Sequence, residues 1–238
     1  MARLTIAQLI RKAEIFVTNG ALPEAQAVLS GVGYGPTELT NAQTLVNTVK
    51  AGHASTKELL AAQKSATKAE HQAQAAAAKE IVSLSEVARI LFAEDEPTLT
   101  ALGLQTQYET VVDPETGEET QQAVQPSEST AQRLIRWRQL VTNAPKLESD
   151  LLDMLIDAGW TTTRLSQADS LVEAYAAADT EQQDAIQNYQ ATSAQFKDDT
   201  AELRQWYRRA RAISSIAIKD NDPQNLSNLR ELLGLDAQ

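Results

Sequence analysis

Four arginines crowd the stretch RQWYRRARAISS, residues 204 to 215, around the pair Trp206 and Tyr207, in a chain whose 32 acids outnumber its 21 bases. Guanidinium groups interleaved with aromatic rings are the chemistry of phosphate, carboxylate and nucleic-acid recognition. On a helix Arg204, Arg208 and Arg211 stand at i, i+4 and i+7 and form one stripe, with Arg209 to its side and Leu203, Trp206, Tyr207, Ala210 and Ile213 as the apolar face. None of the three has an acid three or four residues before it, so pairing along the helix does not satisfy them. A second stripe carries the opposite charge: Asp150, Asp153 and Asp157, at i, i+3 and i+7.

Other reactive chemistry is thin. A helical di-iron site needs two Glu-x-x-His motifs, yet the two histidines, His53 and His71, follow Lys50 and Lys68 at that spacing. Both read as exposed helix residues. Zero cysteines removes thiolate ligands, thiol nucleophiles and disulfides. Nucleophile elbows, glycine-rich phosphate loops and dinucleotide fingerprints do not occur. Carboxylate groups such as Glu94-Asp95-Glu96 and Asp198-Asp199 sit among solvent-type residues. The expectation is no catalytic, cofactor-binding or metal-binding residue. A net charge of −11 repels nucleic acid and anionic membrane taken as a whole. No run of 18 apolar residues and no secretory leader is read, which predicts a cytoplasmic protein without a membrane span.

The elements that must carry these stripes come from an internal duplication. LIRKAEIFVTN (9 to 19) returns as LIRWRQLVTN (134 to 143), and GYGPTELTNAQTLV (33 to 46) returns as GWTTTRLSQADSLV (159 to 172) at an offset of 126. That offset holds without a gap to EDEP (94 to 97) against DNDP (220 to 223), and LTALGL (99 to 104) parallels LRELLGL (229 to 235). Three segments result: a helical repeat over 1–104, an acidic linker over 105–133 and a second repeat over 134–238. They carry net charges of −1, −5 and −5.

Each copy reads as a helix (5 to 18; 128 to 142), a short helix (22 to 31; 145 to 158), a very long helical stretch capped near Thr37 and Thr163 and closed by Pro97 and Pro223, and a last turn at Leu-Gly-Leu. Tyr34 and Trp160 share a repeat position where a ring staples the short helix to the long one. Trp137 and Trp206 have no aromatic counterpart and are read as filling locally different cores. Counted in sevens, a and d fall on Leu165, Ala168, Val172 and Tyr175, continue in phase through polar Asp179 and Gln182, and end on Leu203, Tyr207, Ala210, Ser214 and Ala217. Copy 1 matches from Leu39, Ala42, Val46 and Val49, through His53, to Ile81, Leu84, Ala88 and Leu91. Unbroken phase favours one helix of about 55 to 58 residues. The rival is a hairpin turning near Gly52 and Asp179, where Ser55-x-x-Glu58 and Thr180-x-x-Gln183 resemble capping boxes.

The expected fold is all-α: an internally duplicated helical bundle on two very long antiparallel, coiled-coil-like helices whose ends pack on the short helices of the other copy. Between the copies, Val111 and Val112 followed by Asp113 to Gly117 read either as a small β-hairpin, an edge that a partner could extend, or as a flexible acidic linker. For the charged stripes, copy 1 is informative. Ala78, Val82 and Ser85 replace the arginines there, and Glu24, Ala27 and Gly31 replace the aspartates. Basic and acidic residues are largely lost together, which favours a salt-bridge clasp between the stripes within copy 2; the alternatives are a merely solvated face and a site for an external anion or acidic partner.

The Gly-Tyr/Trp turn, the long alanine-rich helix and the ending ARAISSIAIKDNDPQNL with its closing LGL resemble a family of uncharacterised bacterial helical proteins. Such proteins combine a YGY turn with an ending of the type IARIAL-D-x-P-x-LL-x-x-LG. The resemblance implies a helical tandem-repeat fold and brings no activity or site residues. The functional expectation is a non-enzymatic structural or protein-interaction scaffold, an elongated helical spacer with a protein partner or self-association. The alternative is a membrane-active amphipathic helical protein.

Overall fold

The computed structural model describes residues 4–105, 108–112, 119–123, 128–221 and 226–235, with backbone alone for the strand residues and for residues 221, 226 and 227. In chain order the elements are α1 (Ile6–Gly20), α2 (Pro23–Leu29), a 3-10 turn (Ser30–Val32), α3 (Pro36–Leu91) and α4 (Glu96–Ala101). Strands β1 (Tyr108–Val112) and β2 (Glu119–Ala123) follow. Then come α5 (Thr130–Asn143), a second 3-10 turn (Ala144–Lys146), α6 (Ser149–Asp157), α7 (Thr162–Asn221) and α8 (Leu226–Leu232). The described residues are overwhelmingly helical, and α3 and α7 run 56 and 60 residues without a break.

Continuity disposes of the hairpin reading, and Gly52 has a different task. A Cβ at Gly52 would lie 3.0 Å from Cδ2 of Phe196, so the missing side chain lets that ring approach α3. Thr180 likewise does not cap: its hydroxyl donates back to the Ala176 carbonyl inside α7. Helix starts also shift from the expectation. Thr37 lies in the first turn of α3, which begins at Pro36. The cap oxygen of α7 is Oγ1 of Thr161, accepting from the amide of Arg164, because only a residue outside the helix has the free geometry to reach back to that amide.

The chain divides into two compact units, Met1–Gln63 with Ala185–Gln238, and Lys64–Asp184. Each unit joins half of one sequence copy to half of the other. In the first, α1, α2, the first half of α3, the last half of α7 and α8 enclose a core around Phe16, Leu29, Leu39, Val46, Leu203 and Leu233. Trp206 meets Glu38 and Phe196 meets His53, so within this unit the two long helices run antiparallel. In the second, the end of α3, α4, α5, α6 and the start of α7 enclose Leu84, Phe92, Leu140, Leu155, Trp160 and Tyr175. Every a and d residue of both heptad series named above is buried or half-buried.

Four glycines with positive φ punctuate the units: Gly33 and Gly159 at 89°, Gly103 at 73° and Gly234 at 65°. Each sits in the same closure. The amide of the following residue reaches the carbonyl five back, as Tyr34 to Leu29, Trp160 to Leu155, Leu104 to Leu99 and Leu235 to Arg230, the 6→1 bond of a Schellman ending. The next side chain is buried each time, with Tyr34, Leu104, Trp160 and Leu235 at most 7% exposed. Between the units of sequence, β1 and β2 pair antiparallel with Tyr108 opposite Ala123 and Val112 opposite Glu119. Asp113 and Gly117, the expected turn, lie outside the described residues.

Candidate functional site

The arginine stretch lies on α7 in the first unit. Leu203, Tyr207 and Ala210 are buried in the core, which fixes the rotation of the helix and the direction of its charged residues. Arg204 and Arg211 are half-buried. Each gives a terminal nitrogen to a carbonyl, Arg204 to Leu4 at 3.4 Å and Arg211 to Leu235 at 3.5 Å. The Nε of Arg204 is buried without a partner, which costs about 1–3 kcal/mol. Arg208 and Arg209 are exposed. Ile213, assigned above to the apolar face, is 40% exposed and turns to solvent, because the inward arc on this helix is centred on residues 203, 207, 210 and 214.

Beneath the arginines lies an aromatic cluster. Phe16 meets Tyr34, Trp206 and Tyr207 edge-on at centroid distances of 6.2, 5.7 and 6.5 Å, the arrangement favoured by ring quadrupoles. The indole nitrogen of Trp206 donates to Oε1 of Glu38 at 3.0 Å. Burial pushes the Tyr34 hydroxyl above its ordinary pKa, the Glu38 carboxylate adds to the rise, and Arg209 opposes it. Tyr207 is raised by burial as well, against Arg211.

Asp150, Asp153 and Asp157 belong to α6 in the second unit, and all three are exposed. The basic and acidic stripes therefore fall in different units, and neither unit contains the clasp expected within copy 2. The division of α7 supplies the reason: its first part closes the second unit with α6, and its last part, which carries residues 204 to 211, closes the first.

The second unit has its own charged contact where sequence reasoning saw none. Arg164 stacks over the ring of fully buried Trp160, 3.9 Å from its centroid, and its Nε donates to Oε2 of Glu80 at 2.9 Å. The signal was present, since Arg164 follows Trp160 by one helical turn. Arg138 forms a two-bond pair with Glu173, 2.7 Å at each oxygen. That hydrogen bonding holds the Glu173 carboxyl below and the Arg138 guanidinium above their usual ranges.

His53 is half-buried and stacks on Phe196 at 5.7 Å, so its expected exposure is corrected; the ring covers the gap that Gly52 leaves. His71 is exposed, with Nδ1 3.1 Å from Oε2 of Glu70. Among the described residues no three His, Cys, Asp or Glu side chains gather as metal ligands, and no helix is long and apolar enough to cross a membrane. A shallow hollow lined by Thr162, Thr163, Ser166, Gln167, Ser170 and Leu171 is walled by α7 alone. Its polar groups do not converge from opposing elements as a reactive site requires.

Fold and site together define a helical protein of two units, each closed by halves of two very long helices. Compared with known proteins, the chain matches no family model, no curated protein and no solved structure.

Proposed function

We propose that the chain is a non-enzymatic structural or protein-interaction scaffold, a duplicated helical spacer that presents surfaces to a protein partner or to another copy of itself. The observation that carries this reading is the use to which its chemically capable side chains are put. Arg204, Arg211, Glu38, Glu80, Arg164 and the pair Arg138–Glu173 each bond to a neighbouring element and hold helices together. The duplication is supported by geometry that repeats at the offset of 126: Gly33 and Gly159 share φ 89°. Glu38 with Trp206 and Arg164 with Glu80 occupy the same pair of repeat positions. A cysteine-free composition accords with a cytoplasmic setting.

The strand pair is the proposed partner-binding arm, with Val111 and Val112 in β1 and Asp113 and Gly117 following it. A two-stranded ribbon leaves both outer edges open to strand addition. Affinity capture from the source cell with and without residues 105 to 127, repeated with the purified captured protein, tests it. Loss of that protein on deletion, with an unchanged melting temperature, is the expected result. Equal capture by both chains would remove the arm from the proposal.

A further inference from the structure

Counted by structural unit instead of by sequence copy, the charge becomes polar. Met1–Gln63 with Ala185–Gln238 carries 12 bases and 11 acids, net +1, whereas Lys64–Asp184 carries 9 bases and 21 acids, net −12. The acidic unit bears the exposed aspartate stripe of α6, with Met154 beside it 41% exposed. The other bears the exposed Arg208 and Arg209, with Lys219 and a 62% exposed Ile216 on the same face of α7.

We propose that this arginine face of α7 docks on the aspartate face of α6 in a second copy of the chain. The proposal rests on the scaffold reading and names its partner. Charge complementarity selects the occupant: a nearly neutral unit with a cluster of arginines and a strongly acidic unit attract each other across two molecules. The two faces also match in spacing. Asp150, Asp153 and Asp157 are separated by three and four residues, and Arg211, Arg208 and Arg204 read backwards give three and four, the register of two antiparallel helices. Arg204 and Arg211 each spend one terminal nitrogen on a carbonyl, and a guanidinium has five N–H donors. The exposed Arg208 faces Asp153 in that register. Finally, copy 1 lacks the arginines altogether and keeps one of the three acids, Glu24. Partners that disappear together while lying in separate units are accounted for by a contact between molecules.

Sedimentation velocity of the full chain tests this, from about 10 µM to about 1 mM protein, at about 10 mM and about 1 M salt, where the Debye length is about 30 Å and about 3 Å. Association that grows with concentration at low salt and disappears at high salt is expected. Two reversed chains are then compared: Asp150→Lys with Asp153→Lys and Asp157→Lys, and Arg208→Glu with Arg209→Glu. Each alone weakens association by about tenfold or more, and an equimolar mixture of the two recovers it. Circular dichroism monitors helix content, and the neutral sets Asp→Asn and Arg→Gln at the same positions serve if a reversed chain loses it. A chain that stays monomeric throughout overturns the proposal and the self-association arm of the scaffold reading with it. Association indifferent to both reversals overturns this pairing alone and leaves that reading standing.

Discussion

Leu233→Ala separates units built by exchange from copies that fold on their own. Leu233 is fully buried at the end of α8, in the core that holds Phe16 and Val17 of α1. The adjacent carbonyl of Leu232 accepts from Nδ2 of Asn19 at 2.6 Å. The substitution deletes about three carbon groups worth about 0.8 kcal/mol each, and the cavity left behind brings the cost to about 2–5 kcal/mol. Against a stability of about 5–15 kcal/mol, local opening of the unit becomes about 30-fold to a few thousand-fold more frequent. Native-state hydrogen exchange reads this helix by helix. Amides of α1 and α2, some 200 residues away in sequence, lose protection by that factor. Those of α5 and α6, in the same sequence copy as Leu233, keep theirs. Loss of protection in α5 and α6 with α1 unchanged would refute the exchanged architecture.

Gly52→Ala gains less than the usual helix benefit of about 1 kcal/mol, because the new Cβ meets the Phe196 ring at 3.0 Å; in a Phe196→Ala background the full benefit returns, a coupling that urea unfolding of the four chains of a double-mutant cycle measures. Glu173→Gln costs at most about 1 kcal/mol at neutral pH, since its pair with Arg138 is half-exposed. The Glu173 pKa is lowered on folding, so this stability is present above the ordinary carboxylate pKa and is lost as pH falls through the depressed value. Melting temperatures of variant and parent therefore converge in acid. Tyr34, raised by burial and by Glu38, ionises above the pKa of about 10 of a free tyrosine, and the stability due to its neutral form is lost as pH rises through the raised value. Absorbance titration at alkaline pH shows late-titrating tyrosines that include Tyr34 and Tyr207; Tyr34→Phe removes one of them, and Glu38→Gln brings that same one closer to the ordinary value.

The heptad phase was the most legible feature, and it survived its polar interruptions. Asp179, Gln182, His53 and Thr56 are poor core residues by type, yet all are half-buried. Position on a continuous helix sets their orientation whatever their chemistry. The Gly-Leu closures were legible too, because positive φ restricts the residue that can occupy it. What sequence reasoning lost was the partner of each stripe. The joint absence of the arginines and of most of the acids from the matching positions of residues 1–104 does not say where either stripe finds a partner. The arginines close the first unit and the aspartates belong to the second. The pair Arg164–Glu80 was missed for the complementary reason: its residues lie 84 apart, in different copies, and only antiparallel halves of α3 and α7 bring them together.

That missed pair shows how one scaffold supports two chemistries. Glu38 and Arg164 stand 126 residues apart in the chain, as do Glu80 and Trp206. In the first unit the position pair is a carboxylate accepting from an indole, with Tyr34 one turn before the carboxylate and 6.3 Å from Trp206. In the second it is a guanidinium on a carboxylate, with Trp160 one turn before the guanidinium and stacked under it. Each unit thus places a hydrogen bond to a carboxylate of α3 beside its Gly-Tyr or Gly-Trp turn, and the donor on α7 is an indole in the first unit and a guanidinium in the second. The Arg164–Glu80 pair is only part-buried, so it bears part of the desolvation cost of two charges; an indole on a carboxylate desolvates one charge instead of two. On α7 of the first unit, Arg204 and Arg211 bond to carbonyls and Arg208 and Arg209 are exposed. The exchange of one donor for another leaves the neighbouring turns alike, with Gly33 and Gly159 each at φ 89° and Tyr34 and Trp160 each buried after them.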